Sequence, residues 1–457
     1  VIGTTLTEIV PLRADYHSGR AHLPAVASGN DFKEAAMMNV MAERHNPAIC
    51  TAKSLGMPPL DFRAMHEIIL PQRLRRGVSD LIAWDVAGTA PMALRTPDGV
   101  AFSYVCDGGR VRIVPGIVSD ATLVIELPAD SWTDYYYELR SRFGLLYSQV
   151  IRFERGGFAI WDAWEPALRC LYSGTPIYDP HNLDLRDRDG APLDINRSFN
   201  RDDDPDAISH FLRTAGYAHV RGVFTPDEIA RMSDEVDRLR DEAVEGTHFS
   251  RWAADPAGHK KVWDLQYMAL QSPMMRDLDS HPMVTYLTGL ADEHVVPSID
   301  SDNGTHAILR EFTGVDDVGS NYMLDWHRDC GTGGCPITCP RVHVGIQLDA
   351  ATPDSSQLFF LAGTAGKLAH DRFTDEEWDG KPIVTYETEP GDVTVHLGCM
   401  LHAAPKATGR NRRRTIYTRW VNPNGRKILG HLGSVDQMIP NIDQMPSVAK
   451  MVAAVEG

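Results

Sequence analysis

His327 and Asp329, one residue apart, together with a distant histidine at 402 or 396, are donors of the kind that can hold a ferrous ion on one side and leave its other positions open. In a strand, side chains i and i+2 point the same way, so His327 and Asp329 are expected to face inward while Trp326 and Arg328 face outward. A second histidine from another strand would complete a facial two-histidine-one-carboxylate set. The triplet by itself is a weak signal, since a His and an Asp on a strand also form ordinary hydrogen-bonded pairs. The surrounding segments strengthen it: GSNYMLDWHRD (319–329), LFFLAGTAGKLAH (358–370), EPGDVTVHLGCMLHAA (389–404) and RNRRRTIYTRW (410–420). In the last of these, strand alternation separates the basic residues. Arg413, Thr415, Tyr417 and Arg419 share one face, and Arg414, Ile416, Thr418 and Trp420 the other.

That ordered set resembles the phytanoyl-CoA dioxygenase-like branch of the Fe(II)/2-oxoglutarate oxygenases. The segment HFLRTAGYAHVRGVFTPDEIARMSDEVDRLRDEA (210–243) is similar to the family's short strand, turn and first long helix. The resemblance spans roughly residues 207–425 and implies a double-stranded β-helix, or jelly roll, with Fe(2+), 2-oxoglutarate and O2 as cofactor and co-substrates. It implies His327, Asp329 and His402 as catalytic metal ligands, with His396 a wall residue one turn earlier. A carboxylate at 329 implies oxidation of substrate over halogenation. The family places an arginine for the distal carboxylate of 2-oxoglutarate eleven residues beyond the distal histidine, which points to Arg413, with Arg414 as fallback. Its planar fork suits a carboxylate. Many relatives carry a hydroxyl residue two positions after that histidine, where this chain has Ala404. Thr394, Gln347 and Thr415 are candidates for the missing donor.

The elements that must position these groups belong to a chain of 457 residues, long enough for more than one core. Hydrophobic residues make up 43% and charged residues 23%, ordinary for a water-soluble globular chain. The formal charge of −17 repels polyanions, so nucleic acid is excluded as a partner and a small-molecule substrate is expected. No apolar run is long enough to span a bilayer. Seven cysteines over this length form no disulfide framework, which points to a cytoplasmic location. Homo-oligomerisation stays open.

The expected fold class is α+β: a smaller α+β domain over 1–177, a surface linker over 178–206, and the jelly-roll domain with flanking helices over 207–457. In the first part, residues 31–45 have helical composition with Asp31 as cap. Residues 99–116 read as a hairpin turning at Asp107-Gly108-Gly109. ATLVIEL (121–127) reads as a strand, followed by a helix capped by Asp130 or Ser131. That order resembles the sterol-carrier-protein-2-like fold, which implies an apolar ligand; simple packing against the second half is the alternative. Thr225, Pro226 and Glu228 have the spacing of a capping box opening a helix over 226–244.

The function expected is oxidation, as by hydroxylation, of an aliphatic C–H in a small, apolar or carrier-linked molecule, with release of succinate and CO2. The alternatives are a lipid- or acyl-carrier protein with an idle barrel, or a cupin-like metal-dependent isomerase. Cys330, Cys335 and Cys339 could instead bind zinc with His343 as a fourth donor, although structural zinc sites favour paired short spacings. A loop closing over the iron is the preferred reading of GTGGCPITCP.

Overall fold

The computed structural model describes residues 51–147, 150–254, 259–310, 324–330, 339–370, 380–404, 407, 409 and 411–433. The helix expected over 31–45 lies outside the described residues.

The first described part is built on five strands: β1 (Met92–Arg95), β2 (Ala101–Asp107), β3 (Arg110–Pro115), β4 (Leu123–Glu126) and β5 (Arg152–Arg155). They lie in the order β3-β2-β1-β4-β5, with β1 and β4 parallel. Asp107 pairs with Arg110, and Gly108 and Gly109 between them both adopt positive φ (55° and 72°), so the tight hairpin forms as expected. Helical turns from Phe62–Ala64 to Ser79–Ile82, and the helices Ala129–Tyr136 and Phe158–Ser173, supply the rest of this core. The cap expected at Asp130 or Ser131 is instead Pro128, so the helix begins earlier and has no side-chain cap. Its interior is filled by large aromatic residues, among them Phe102, Tyr104, Trp132, Tyr135, Trp161 and Trp164.

Residues 178–206 are more than a surface linker. β6 (Ser198–Asn200) joins the edge of the second sheet in parallel with β7 (Tyr217–Arg221), burying Phe199. Leu185, Leu193 and Ile195 pack against the same core. Their apolar side chains, spaced among Asp and Arg residues, were masked by the polar composition.

The second part is a two-sheet sandwich, the jelly roll expected. Its further strands are β8 (Ser250–Ala254), β9 (Lys260–Leu265), β10 (Val296–Pro297), β11 (His306–Arg310), β12 (Leu324–His327), β13 (Arg341–Gln347), β14 (Phe359–Leu361), β15 (Ile383–Thr385), β16 (Val393–Leu397), β17 (His402–Ala404) and β18 (Arg413–Val421). One sheet runs β6-β7-β16-β13-β18-β11-β9-β8, with β10 also paired to β18; the other runs β12-β17-β14-β15. In β13, Val342, Val344 and Ile346 belong to the core that includes the helices Pro205–Ala215 and Pro226–Asp241. The alternate residues Arg341, His343, Gly345 and Gln347 therefore line the space between the sheets. The Pro226–Asp241 helix starts with the expected capping box between Thr225 and Glu228.

His66 tests the packing of the first core. Its Nδ1–H donates to the Phe62 carbonyl at 2.7 Å, and its Nε2 accepts from the Tyr104 hydroxyl at 2.7 Å, so the neutral ring is the form that fits. Burial lowers its pKa to about 4, against the raising effect of the Phe62 carbonyl. The unfolded chain binds this proton at higher pH than the folded chain does. Stability should therefore fall as pH drops from about 6.5 towards 4, by about 3 kcal/mol in all. Urea midpoints at pH 7 and pH 4.5 should differ less for His66→Gln than for the wild type; equal pH dependence in the two proteins would contradict this account.

Candidate metal centre and co-substrate cavity

β12 ends at His327, and Asp329 lies beyond it in a turn. The simple strand alternation expected for the pair therefore does not apply, but the turn still returns the carboxylate to the imidazole. One ligand atom from each of His327, Asp329 and His402 lies within 4.8 Å of the others. His327 and His402 are direct cross-strand partners between β12 and β17, with ring centroids 4.3 Å apart. Trp326 faces away, into a cluster with Tyr178, Leu361, Leu401 and Ala403.

A second group meets the same carboxylate from the opposite sheet. His343 and His396 are cross-strand partners in β13 and β16, and their rings stack at 4.9 Å. His396 Nε2 donates to Asp329 Oδ2 at 3.1 Å, and His343 Nε2 lies 3.5 Å from the same oxygen. Asp329, His343 and His396 also fall within 4.8 Å of one another, so the distal-histidine choice is not closed by proximity alone. Orientation distinguishes the two sets. His402 Nδ1 must donate to the Met400 carbonyl (3.0 Å), leaving the lone pair on Nε2, which lies 3.6 Å from Asp329 Oδ2. Burial, then the neighbouring His327, lowers the His402 pKa to about 3, so the ring stays neutral as a metal requires. Burial opposes charge on Asp329, yet His343, His402, the hydrogen bond from His396 and Arg419 hold its carboxyl well below the usual range. Two imidazoles and a carboxylate are a donor set that fits Fe(II).

Further residues fix the ligand turn. Arg341 donates to the Asp329 carbonyl and pairs with Asp302, and Arg419 lies 3.8 Å from Asp329 Oδ1. Sequence reading placed Arg419 on the inward face but assigned neither it nor Arg341 a part in the site. The alternation of RVHVGIQ was the available signal for Arg341. His306 bonds Asp264 at 3.1 Å, and His370 bonds Asp85 at 2.8 Å, so both are satisfied outside this centre. For the zinc alternative, His343 faces Asp329, and Cys335 lies outside the described residues.

A small cavity is lined by Gln347, Ala351, Leu358, Phe360, Tyr386, Thr388, Thr394 and Arg413. The Phe360 ring in its wall lies 5.8 Å from the His396 ring and 6.4 Å from the His402 ring, centroid to centroid. Arg413 is buried at its end; one guanidinium nitrogen donates to the Ser356 carbonyl, and Nε has no partner. Thr394 Oγ1 is likewise buried without a partner. Thr415 donates to Gln347 Oε1 at 2.9 Å, which leaves the Gln347 amide N–H groups available. Arg414 points to the other face, where it meets Asp349 and Asp237, each at 2.9 Å. Gly345 lies between these groups: a Cβ there would come within 2.8 Å of the Tyr417 ring and 2.9 Å of Thr394 Oγ1. The residue must be glycine for the wall to close this tightly.

A profile of the phytanoyl-CoA dioxygenase (PhyH) family matches residues 212–415, which include both histidine groups, Asp329 and Arg413. Over these residues the chain is similar to the phytanoyl-CoA dioxygenase family. Similar solved structures include AviO1 from Streptomyces viridochromogenes, 24% identical, covering 48% of this chain and 96% of that one with a TM-score of 0.39. The epimerase SnoN from nogalamycin biosynthesis is 21% identical over 47% of this chain and 81% of its own, TM-score 0.37. EctD from S. alaskensis, solved with 2-oxoglutarate and 5-hydroxyectoine, is 16% identical over 52% and 82%, TM-score 0.38. No curated protein matches the chain. Among the described residues, no helix is long and apolar enough to cross a membrane.

With His327, Asp329 and His402 as ligands, His402→Ala should abolish tight Fe(II) binding. His396→Ala should weaken it by roughly 10- to 100-fold, as loss of a group orienting a ligand does. Anaerobic titration with Fe(II) would separate the two, and the reverse order of effects would move the centre to the His343–Asp329–His396 group.

Proposed function

We propose that the oxygenase half oxidises an aliphatic C–H bond of a small molecule, with His327, Asp329 and His402 holding iron and Arg413 receiving the distal carboxylate of 2-oxoglutarate. One observation carries the reading: the two-histidine-one-carboxylate group and a cavity lined by a buried arginine whose Nε has no partner share the space between the sheets. When bound, Fe(II) and 2-oxoglutarate would let O2 serve as the oxidant, one oxygen atom going to the substrate carbon and the other to succinate, with CO2 released.

The chain's own residues prepare that chemistry. His402 presents Nε2 because Met400 fixes its Nδ1–H. His396 and Arg419 hold Asp329 as an anion in a buried setting, so it needs no proton loss to act as a donor. Arg413 offers N–H groups that burial has stripped of water, so a carboxylate arriving there regains hydrogen bonds instead of exchanging them. Thr394 and Gln347 present further donors to the same cavity. Phe360, Leu358 and Ala351 keep its walls apolar and exclude water. The apolar or carrier-linked character of the substrate rests on the sequence resemblance of residues 1–177.

Under anaerobic conditions, Fe(II) and 2-oxoglutarate together should give a visible charge-transfer band with the wild type and none with His327→Ala. A screen of candidate substrates should then find those that stimulate succinate release. A wild type without the band, or a band of equal strength in His327→Ala, would refute the proposed centre.

A further inference from the structure

Arg310 ends β11 as the direct cross-strand partner of Arg413 in β18, so both side chains leave the sheet on the same, inward side. It is 3% exposed, and its Nε and Nη1 atoms have no hydrogen-bond partner. Other buried arginines of this chain meet carboxylates: Arg169 with Glu165, Arg341 with Asp302, and Arg414 with Asp349 and Asp237. Arg310 and Arg413 form no ion pair among the described residues. The groups that act on Arg310 are Arg413, a like charge, and Tyr417, which also lies against Arg413. Burial first, and Arg413 second, lower the Arg310 pKa to about 9, so its guanidinium is still charged at neutral pH.

Two adjacent, desolvated cations with no carboxylate partner among the described residues destabilise a fold unless an anion joins them. Ala404 sharpens the point. It is fully buried on β17, directly beyond His402, and offers no side-chain donor to the space between the sheets. The wall that lacks a hydroxyl is thus faced by a sheet that carries one more guanidinium than a single carboxylate anchor needs.

We propose that Arg310 and Arg413 form a two-arginine clamp on the distal carboxylate of 2-oxoglutarate, with Arg310 providing the donor that Ala404 cannot. This rests on the co-substrate reading above. Arg310 acts as a binding residue for the co-substrate and lies on a different strand from the proposed anchor, Arg413.

The test uses the full chain loaded with Ni(II), so that binding is read without turnover. Calorimetric titration with 2-oxoglutarate is compared for the wild type, Arg310→Met, Arg310→Lys and Arg413→Met. Arg310→Met should weaken 2-oxoglutarate binding by roughly 10- to 100-fold, the loss expected for a charge-assisted hydrogen bond. Affinity for 2-oxobutyrate, which has the same oxo-acid head but no distal carboxylate, should not change. Arg310→Lys should retain part of the affinity. Without co-substrate, Arg310→Met should melt at a higher temperature than the wild type, because an unpaired buried charge has gone. Undiminished 2-oxoglutarate affinity in Arg310→Met, alongside a loss in Arg413→Met, would overturn the clamp and leave the anchor, as would an Arg310→Met protein that is less stable without ligand. A wild type that binds no 2-oxoglutarate, or an Arg413→Met variant that binds it normally, would overturn the co-substrate reading itself.

Discussion

The site depends on keeping one carboxylate, that of Asp329, charged in the interior of a protein. An isolated buried carboxylate would take up a proton, since loss of hydration penalises its anionic form. Here the anion is held from the larger sheet: His396 donates to it and the Arg419 guanidinium lies beside it, with Arg341 on the backbone carbonyl of the same residue. Each of these has its own support. Arg341 pairs with Asp302, which also lies 3.8 Å from Arg419; Arg419 bonds His306, and His306 bonds Asp264. The result is a chain of alternating charge and hydrogen bonding that runs across the larger sheet. Removing one member would leave its neighbours buried and unpaired, a larger cost than the bond itself.

Such a polar interior is possible because the larger sheet separates its two faces. Along β13 and β16, residues alternate between apolar side chains packed beneath helices and side chains turned toward the other sheet, while in β18 the helix face carries Arg414 and Thr418 beside Ile416 and Trp420. A shift of one residue in β18 would exchange Arg413 with Arg414, taking the first from the cavity and the second from Asp349 and Asp237. Register is thus enforced by charge as well as by burial. The carboxylates that engage Arg414 specify the placement of Arg413, although they never touch the cavity.

Much of this was legible in the sequence because strand alternation and capping chemistry are local. The separation of Arg413 from Arg414, the Gly108-Gly109 hairpin and the Thr225–Glu228 cap all follow from residues close together in the chain. What was not legible depends on pairing between distant strands. The partnership of His343 with His396, the grip of Arg341 on Asp329 and the placement of Arg310 opposite Arg413 are set by register across the sheet. Periodicity puts each side chain on a face but does not say which distant residue it will meet. The linker was misjudged for a related reason: Phe199 and its apolar neighbours are buried only because an edge strand was available to receive them.

The position of Asp329 also links the two cores. Because the residue lies in a turn past the end of β12, no regular ladder fixes it, and neighbouring contacts must do so. The next residue, Cys330, donates its backbone N–H to the Gly398 carbonyl at 3.2 Å. Its side chain is fully buried with Ala52, Leu139 and Leu429, and partly buried Met57 and Tyr137 pack against the same cluster. Ala52, Met57, Tyr137 and Leu139 all precede the β6 segment, and Asp134 holds the Ala52 backbone N–H at 2.7 Å. The first part of the chain therefore supplies part of the apolar backing of the Asp329 turn. Arg341 pulls the turn from the barrel side and this cluster supports it from behind, so the geometry of the carboxylate is set jointly by both halves of the protein.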